Sequence, residues 1–243
     1  MKITVVAEIG SNWEGNTIKA KKIIRECKKA GADAVKFQIW RANDLYDTKH
    51  PSWKIIKKSE LTFNQASILK KFADKIKIDF FCSAFFPEAV DFLESINVKR
   101  YKIASRTCLF KDPFALETLK KKASTKKPVI ISMGMGGNKK KILGIFPKNN
   151  KTFCYCISEY PLKFEKIDWA IALQNDGFSD HTMGIMAPII FTILKKIKNS
   201  KKIYIEKHVK LKNSKGPDAS TSITTEQLKE LISQIRIIGR FRF

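Results

Sequence analysis

The stretch "KKIYIEKHVKL", residues 201–211, decides how the rest of the chain is read. Its isoleucines, tyrosine and valine mark a β-strand, yet a glutamate and a histidine stand in its middle. Side chains alternate across a strand, so Tyr204, Glu206 and His208 share one face while Ile203, Ile205 and Val209 share the other. The apolar face packs against something. The opposite face, with a carboxylate beside an imidazole, needs a chemical reason.

Seven similar runs precede it: "KITVVAEIG", "DAVKFQIW", "DFFCSAF", "RYKIAS", "PVIISMGM", "TFCYCIS" and "GFSDHT". Between them lie amphipathic helical segments such as "NTIKAKKIIRECKKAGA", "NQASILKKFADKI", "PEAVDFLESIN" and "PFALETLKKKAS". The fifth helix, around "NKKKILGIF", is expected to be short. The last, "TTEQLKELISQIRIIG", is expected to take its N-cap from Thr224 or Thr225. About eight strand–helix units in one chain predict an α/β fold of the (β/α)8 TIM-barrel type, a single domain over residues 1–243. A doubly wound open sheet is the competing architecture, but it does not need eight units, and no GxGxxG follows the first strand.

In such barrels functional residues collect at the C-terminal strand ends, facing inward. The period of two places Glu8 at the end of strand one and Lys36 with Gln38 on one face of strand two. Strand four offers Lys102, with Ser105 just beyond it. Strands five and six end in Ser132 and Ser158, strand seven in Ser179 and His181, strand eight in Glu206 and His208. Lysine, glutamate and histidine are rarely buried unpartnered, and a whole ring of them is hard to explain by stability alone.

Two of the chain's three histidines, His181 and His208, fall on neighbouring strands, and closure against strand one brings Glu8 to the same corner. Two imidazoles with carboxylates nearby can hold a divalent transition ion such as Mn²⁺. Hydrogen-bonded core histidines are the plainer alternative. His50, in "DTKHPSW", reads as a loop residue. Lys36 and Lys102 suit either anion binding or a Schiff base. With Ser83, Ser105 and Ser132 they look more like a cradle for phosphate and carboxylate.

Composition excludes several classes. With 44% hydrophobic and 29% charged residues the chain is an ordinary soluble globular protein, not a disordered one. The longest apolar stretch, "MGIMAPIIFTIL", is too short to span a bilayer, and Glu8 interrupts the apolar run of the first residues, so neither a membrane segment nor an export signal is expected. The five cysteines (Cys27, Cys82, Cys108, Cys154, Cys156) lack CxxC pairs, which suits reduced core thiols in a cytoplasm. The net charge of +24 comes from lysines spread over nearly every helix without interleaved aromatics. It reads as a solvated surface rather than a nucleic-acid interface, and its field favours an anionic substrate.

The ordered motifs "AEIGSNWEGN", "AGADAVKFQ", "EAVDFLE", "YKIAS", "KPVIISMGM", "CISEYP", "FSDHTMG", "IEKHV" and "GPDAS" resemble those of the N-acetylneuraminate (sialic acid) synthase family over almost the whole chain. The resemblance implies a barrel that condenses phosphoenolpyruvate with the open-chain aldehyde of an N-acylated sugar, typically N-acetylmannosamine. The product is a nine-carbon 2-keto acid, and phosphate leaves. His181 and His208 would hold Mn²⁺ or Mg²⁺. Lys36, Gln38, Ser83, Lys102, Ser105 and Ser132 would grip phosphoenolpyruvate, with Ser158 and Ser179 completing the substrate-binding set. Glu8 would stabilise positive charge at C2, Glu206 would assist near the aldehyde or its water, and Tyr160 and Asp218 would contact the sugar. Glu8, Glu206 and Lys36 form the catalytic set, and a homodimer is a family expectation.

Several positions depart from the family pattern. Trp13 replaces a histidine, so the rim of the sugar pocket is expected to differ. Ser83-Ala84 stands for Thr-Pro, Met133 for a threonine, and Ala219 for the histidine that follows "GPD". Family members usually continue into a small antifreeze-like domain that gives an arginine to a partner's site. Here the sequence stops at "GRFRF", and Arg240 and Arg242 are not expected to substitute. This motivates a second reading, a non-catalytic relative that binds an anionic sugar or assists polysaccharide assembly.

Overall fold

Each apolar run becomes a strand, and the segment after it supplies a helix to cover it. The computed structural model describes residues 1–241. The strands are β1 (Lys2–Glu8), β2 (Ala34–Ile39), β3 (Asp79–Ala84), β4 (Tyr101–Ile103), β5 (Val129–Ser132), β6 (Lys151–Tyr155), β7 (Gly177–Asp180) and β8 (Lys202–Lys210), followed by a two-residue β9 (Ile223–Thr224). Strands pair in parallel in sequence order, and β8 pairs with β1 as well as β7. The sheet therefore closes into a (β/α)8 barrel, with β9 appended outside the ring beside Val209.

The helices are α1 (Thr17–Ala30), α2 (Ala42–Leu45), α3 (Trp53–Lys58), α4 (Phe63–Lys75), α5 (Pro87–Ser95), α6 (Ala115–Ser124), α7 (Lys139–Ile145), α8 (Trp169–Ala172), α9 (Met186–Ile197) and α10 (Thr225–Arg240). Asn16 caps α1, and Thr62 and Thr224 cap α4 and α10 with reciprocal glutamine bonds. Of the two threonines considered at the last helix, Thr224 is the cap. The fifth helix, α7, is indeed short, at seven residues. The sixth, α8, is shorter still at four, because residues 157–168 form a loop that carries Ser158 and Tyr160 to the cavity mouth. The short helices α2 and α3 were not legible. They occupy the long connection after β2.

Outward-facing residues such as Val5, Phe37, Phe80, Ile131 and Ile205 are completely buried under the helices. Each such side chain contributes about 1.5–3 kcal/mol of transfer free energy, so the two-residue period is enforced along every strand. The other face points into the barrel, which is how polar residues gather there.

Candidate active site

The C-terminal end of the barrel opens into a cavity of about 370 Å3. Lys36, Gln38, Lys102, Ser105, Ser132, Ser158, Tyr160, Ser179, His181, Glu206, His208 and Asp218 all line it. Glu8 and Ser83 lie just beneath, both buried. The register explains the convergence. Gln38 sits opposite Ser83, and Ser83 opposite Lys102, while Ser179 faces Glu206 and Glu8 is flanked by Lys36 and His208.

At the floor is a lattice of charges. Lys36 pairs with Glu8 and approaches Glu206 Oε1 at 3.4 Å. Lys102 Nζ donates to Glu206 Oε1 at 2.8 Å and to Ser132 Oγ at 2.9 Å. Ser179 Oγ donates to the same glutamate oxygen at 2.9 Å, and Gln38 Nε2 donates to Glu8 Oε1 at 3.1 Å. The two carboxyls respond in opposite directions. Burial raises the Glu8 pKa, and repulsion from Glu206 adds to this against the pull of Lys36. For Glu206 burial acts the same way, but Lys102 and Lys36 outweigh it and hold the carboxyl well below the usual range. Those opposing shifts give two carboxyls on one floor different protonation behaviour. Ser83 Oγ is buried and has no hydrogen-bond partner in the protein. An orphaned hydroxyl at such depth is a place for a ligand oxygen.

The two histidines meet at the ends of β7 and β8, with ring centroids 5.4 Å apart. His181 Nδ1 lies 2.6 Å from the Ile157 carbonyl, so Nδ1–H donates and Nε2 is the nitrogen left for a ligand. Burial disfavours the charged ring, but Cys156 and that carbonyl outweigh it and raise the His181 pKa. His208 Nδ1 is buried and unpartnered. Burial, with help from the nearby His181 and Lys36, pushes the His208 pKa down to about 3, so the ring is neutral and able to ligate. Among the described residues no cluster of three or more histidine, cysteine, aspartate or glutamate side chains has metal-binding geometry. What the residues fit is a divalent ion held by two imidazole nitrogens, with the other positions left to substrate or water. The Tyr160 ring covers the pair, 4.2 Å from His181 and 6.0 Å from His208.

Asp218 reaches the cavity on the loop after β8. Its Oδ2 accepts from the Ser11 N–H and Oγ, both at 2.7 Å, which ties that loop to the end of β1. Gly10 makes the approach feasible. It sits at φ +50°, and a Cβ there would meet Asp218 Oδ2 at 2.4 Å.

Sequence reasoning missed Tyr46, Arg106 and Met135, which also line the cavity, and treated Cys156 as structural. Cys156 Sγ lies 3.9 Å from His181 Nδ1, and although burial opposes the thiolate, His181 lowers the Cys156 pKa. A signal for Arg106 existed, since it directly follows Ser105 at a strand's C-terminal end. One expectation is corrected. Trp13 is 1% exposed in the hydrophobic core and is not part of the cavity lining, so the histidine replacement does not reshape the rim through its own side chain. Ala219 likewise stands off the lining, its carbonyl taken by Lys210 Nζ at 2.6 Å. Arg240 ends α10 near the opposite mouth, where Arg236 bonds the Ile3 carbonyl. Arg242 lies outside the described residues.

The model of the NeuB family matches residues 23–241. The chain belongs to the NeuB family. Among similar NeuB-type proteins is the N,N'-diacetyllegionaminic acid synthase of Campylobacter jejuni, 32% identical over 98% of this chain and 77% of its own. The human N-acetylneuraminate-9-phosphate synthase is 30% identical over 97% of this chain and 70% of its own. A crystal structure of the N-acetylneuraminic acid synthetase of Leptospira borgpetersenii, in complex with citrate, superposes with a TM-score of 0.86 at 25% identity, covering 98% of this chain and 84% of that one. The homologues of this NeuB chain are thus synthases of sialic-acid-like sugars, and their likeness runs through the whole barrel.

Proposed function

We propose that residues 1–243 form a catalytic domain that condenses phosphoenolpyruvate with the aldehyde of an N-acyl-mannosamine-type sugar, giving a nonulosonic acid and phosphate. The observation that carries this reading is the buried lattice of Lys36, Lys102, Glu8 and Glu206 at the floor of the cavity, beside two imidazoles.

In this reading Lys36, Lys102, Gln38, Ser105, Ser132 and Ser83 hold the phosphate and carboxylate of phosphoenolpyruvate. Its C3 attacks the aldehyde carbon, whose oxygen becomes a hydroxyl. Water adds its oxygen at C2, and the bond from C2 to the bridging oxygen breaks, so that phosphate leaves with that oxygen. The water oxygen remains as the keto group, the two protons of water passing to the new hydroxyl and to the phosphate. Glu8, lying against Lys36, faces the positive charge developing at C2. Glu206 stays anionic under its two lysines and fixes their ammonium groups through the reaction. Ser158, Ser179, Tyr160 and Asp218 orient the acceptor. His181 and His208 would hold Mn²⁺ or Mg²⁺, which when bound supplies Lewis-acid polarisation of the aldehyde. Among the described residues no helix is long and apolar enough to cross a membrane. A cytoplasmic location and pairing as a homodimer belong to this proposal as expectations carried by the family resemblance.

The test is phosphate release from phosphoenolpyruvate with Mn²⁺, with and without N-acetylmannosamine and a panel of related N-acyl sugars. Release dependent on one aldehyde is expected. Binding of sugars without binding of phosphoenolpyruvate would instead favour a non-catalytic, sugar-binding relative.

A further inference from the structure

The floor lattice contains two lysines and two carboxylates, so it brings little net positive charge to a substrate that carries both a carboxylate and a phosphate ester. One more cation reaches the cavity wall. Arg106 opens a short 3-10 turn immediately after Ser105 at the end of β4. Its Nε and Nη2 donate to the two oxygens of Asp112, each at 2.8 Å, and Nη2 also donates to the Leu45 carbonyl at 3.2 Å. The Tyr46 ring lies against the guanidinium, 5.4 Å from Cζ. Among the described residues Nη1 has neither a carboxylate nor a carbonyl partner. Tyr46 is also a side-chain hydrogen-bond partner of Arg106, so the guanidinium is held in one orientation by Asp112, Leu45 and Tyr46. Its Nη1 edge, with no carboxylate against it, suits an oxyanion.

Its position in the ring decides which oxyanion. Arg106 stands at β4, next to Ser105 and near Ser132 of β5, on the half of the barrel that also carries Gln38, Ser83 and Lys102. The histidines, where the aldehyde is placed, stand at the ends of β7 and β8 on the other side, while Asp218, on the loop after β8, comes within electrostatic reach of Tyr46.

Resting on the function proposed above, we propose that Arg106 is a further phosphoenolpyruvate-binding residue, its Nη1 edge gripping the phosphate at the mouth of the cavity. Asp112 is its positioning residue. It fixes the fork so that little side-chain freedom is lost when the anion docks. The free product phosphate is held by the same edge before it leaves.

Calorimetry of wild type, Arg106→Ala, Arg106→Lys and Asp112→Asn with phosphoenolpyruvate and, separately, inorganic phosphate tests this, with thermal unfolding as the control for folding. Arg106→Ala is expected to weaken both ligands about tenfold to a hundredfold, the range for one charged hydrogen-bonded contact, and to raise the KM for phosphoenolpyruvate but not for the sugar. Arg106→Lys restores charge without the fork and falls between. Unchanged affinity for both anions in a folded Arg106→Ala, or a rise confined to the sugar KM, overturns the proposal. If wild type binds phosphate but not phosphoenolpyruvate, and Arg106→Ala loses the phosphate, the anion grip stands while the synthase reading falls. If wild type binds neither anion, both fall.

Discussion

The Tyr204 hydroxyl donates to Glu206 Oε2 at 2.8 Å, from two residues back on the same inner face of β8. The other glutamate oxygen is already taken by Lys102 and Ser179, so Tyr204 supplies the donor that completes the carboxylate's shell. Tyr204→Phe keeps the ring and orphans a buried, ionised oxygen. It is expected to destabilise the fold by about 1–3 kcal/mol, read as a lower urea midpoint at unchanged m-value. A midpoint equal to wild type would mean that Glu206 does not depend on this bond.

The room for that ring comes from Gly177 on the adjoining strand. A Cβ there would meet Cys154 Sγ at 2.4 Å and the Tyr204 side chain at 3.3 Å. Gly177→Ala is therefore an overpacking change at the barrel axis, expected to cost about 1–3 kcal/mol by thermal or chemical unfolding. Full stability in this variant would show that β6 and β7 can separate at little cost.

For the histidine pair the direct measurement is Mn²⁺ binding, followed by the paramagnetic signal of the free ion. His208→Ala and His181→Ala should each weaken binding by at least about tenfold, because two imidazoles are the nitrogen ligands the site offers. Retained affinity in both variants would remove the pair from the metal site.

The sequence made the floor of this site legible through geometry that is local. A strand's period of two is rigid, so Glu8, Lys36, Lys102, Glu206 and His208 could be assigned to the interior before any contact was known. Closure of the barrel then forced them together. The wall of the cavity was not legible in the same way. Tyr46 and Arg106 sit in turns, where no period fixes the direction of a side chain, and their mutual packing exists only because the long connection after β2 folds back over β4. Trp13 erred in the opposite sense. Its motif position suggested the rim, but a large indole gains more by burial, and the core took it.

The same limit applies to Lys122, which looked like one more surface lysine in "LKKKAS" but is completely buried on α6. Its Nζ donates to the Ala84 carbonyl at 2.7 Å and lies 3.4 Å from the Lys102 carbonyl, and among the described residues it has no ion-pair partner. Burial, with Lys36 adding repulsion, pushes its pKa down to about 7. The ordinary value of 10.5 applies once the chain unfolds. Between pH 7 and 10.5 the unfolded chain therefore binds more protons than the native one, and this residue's contribution to stability rises with pH across that window. Below pH 7 its penalty is fully present, amounting to up to about 5 kcal/mol. Lys122→Met keeps the length and removes the charge. Expected is a variant more stable than wild type at pH 7, with the gap narrowing steadily through pH 10, because the wild-type amine becomes neutral in both states only above pH 10.5. Parallel unfolding curves of the two proteins at pH 7, 8.5 and 10 read this directly. A gap that stays constant with pH would show that Lys122 is charged in the native barrel and satisfied by its two carbonyls.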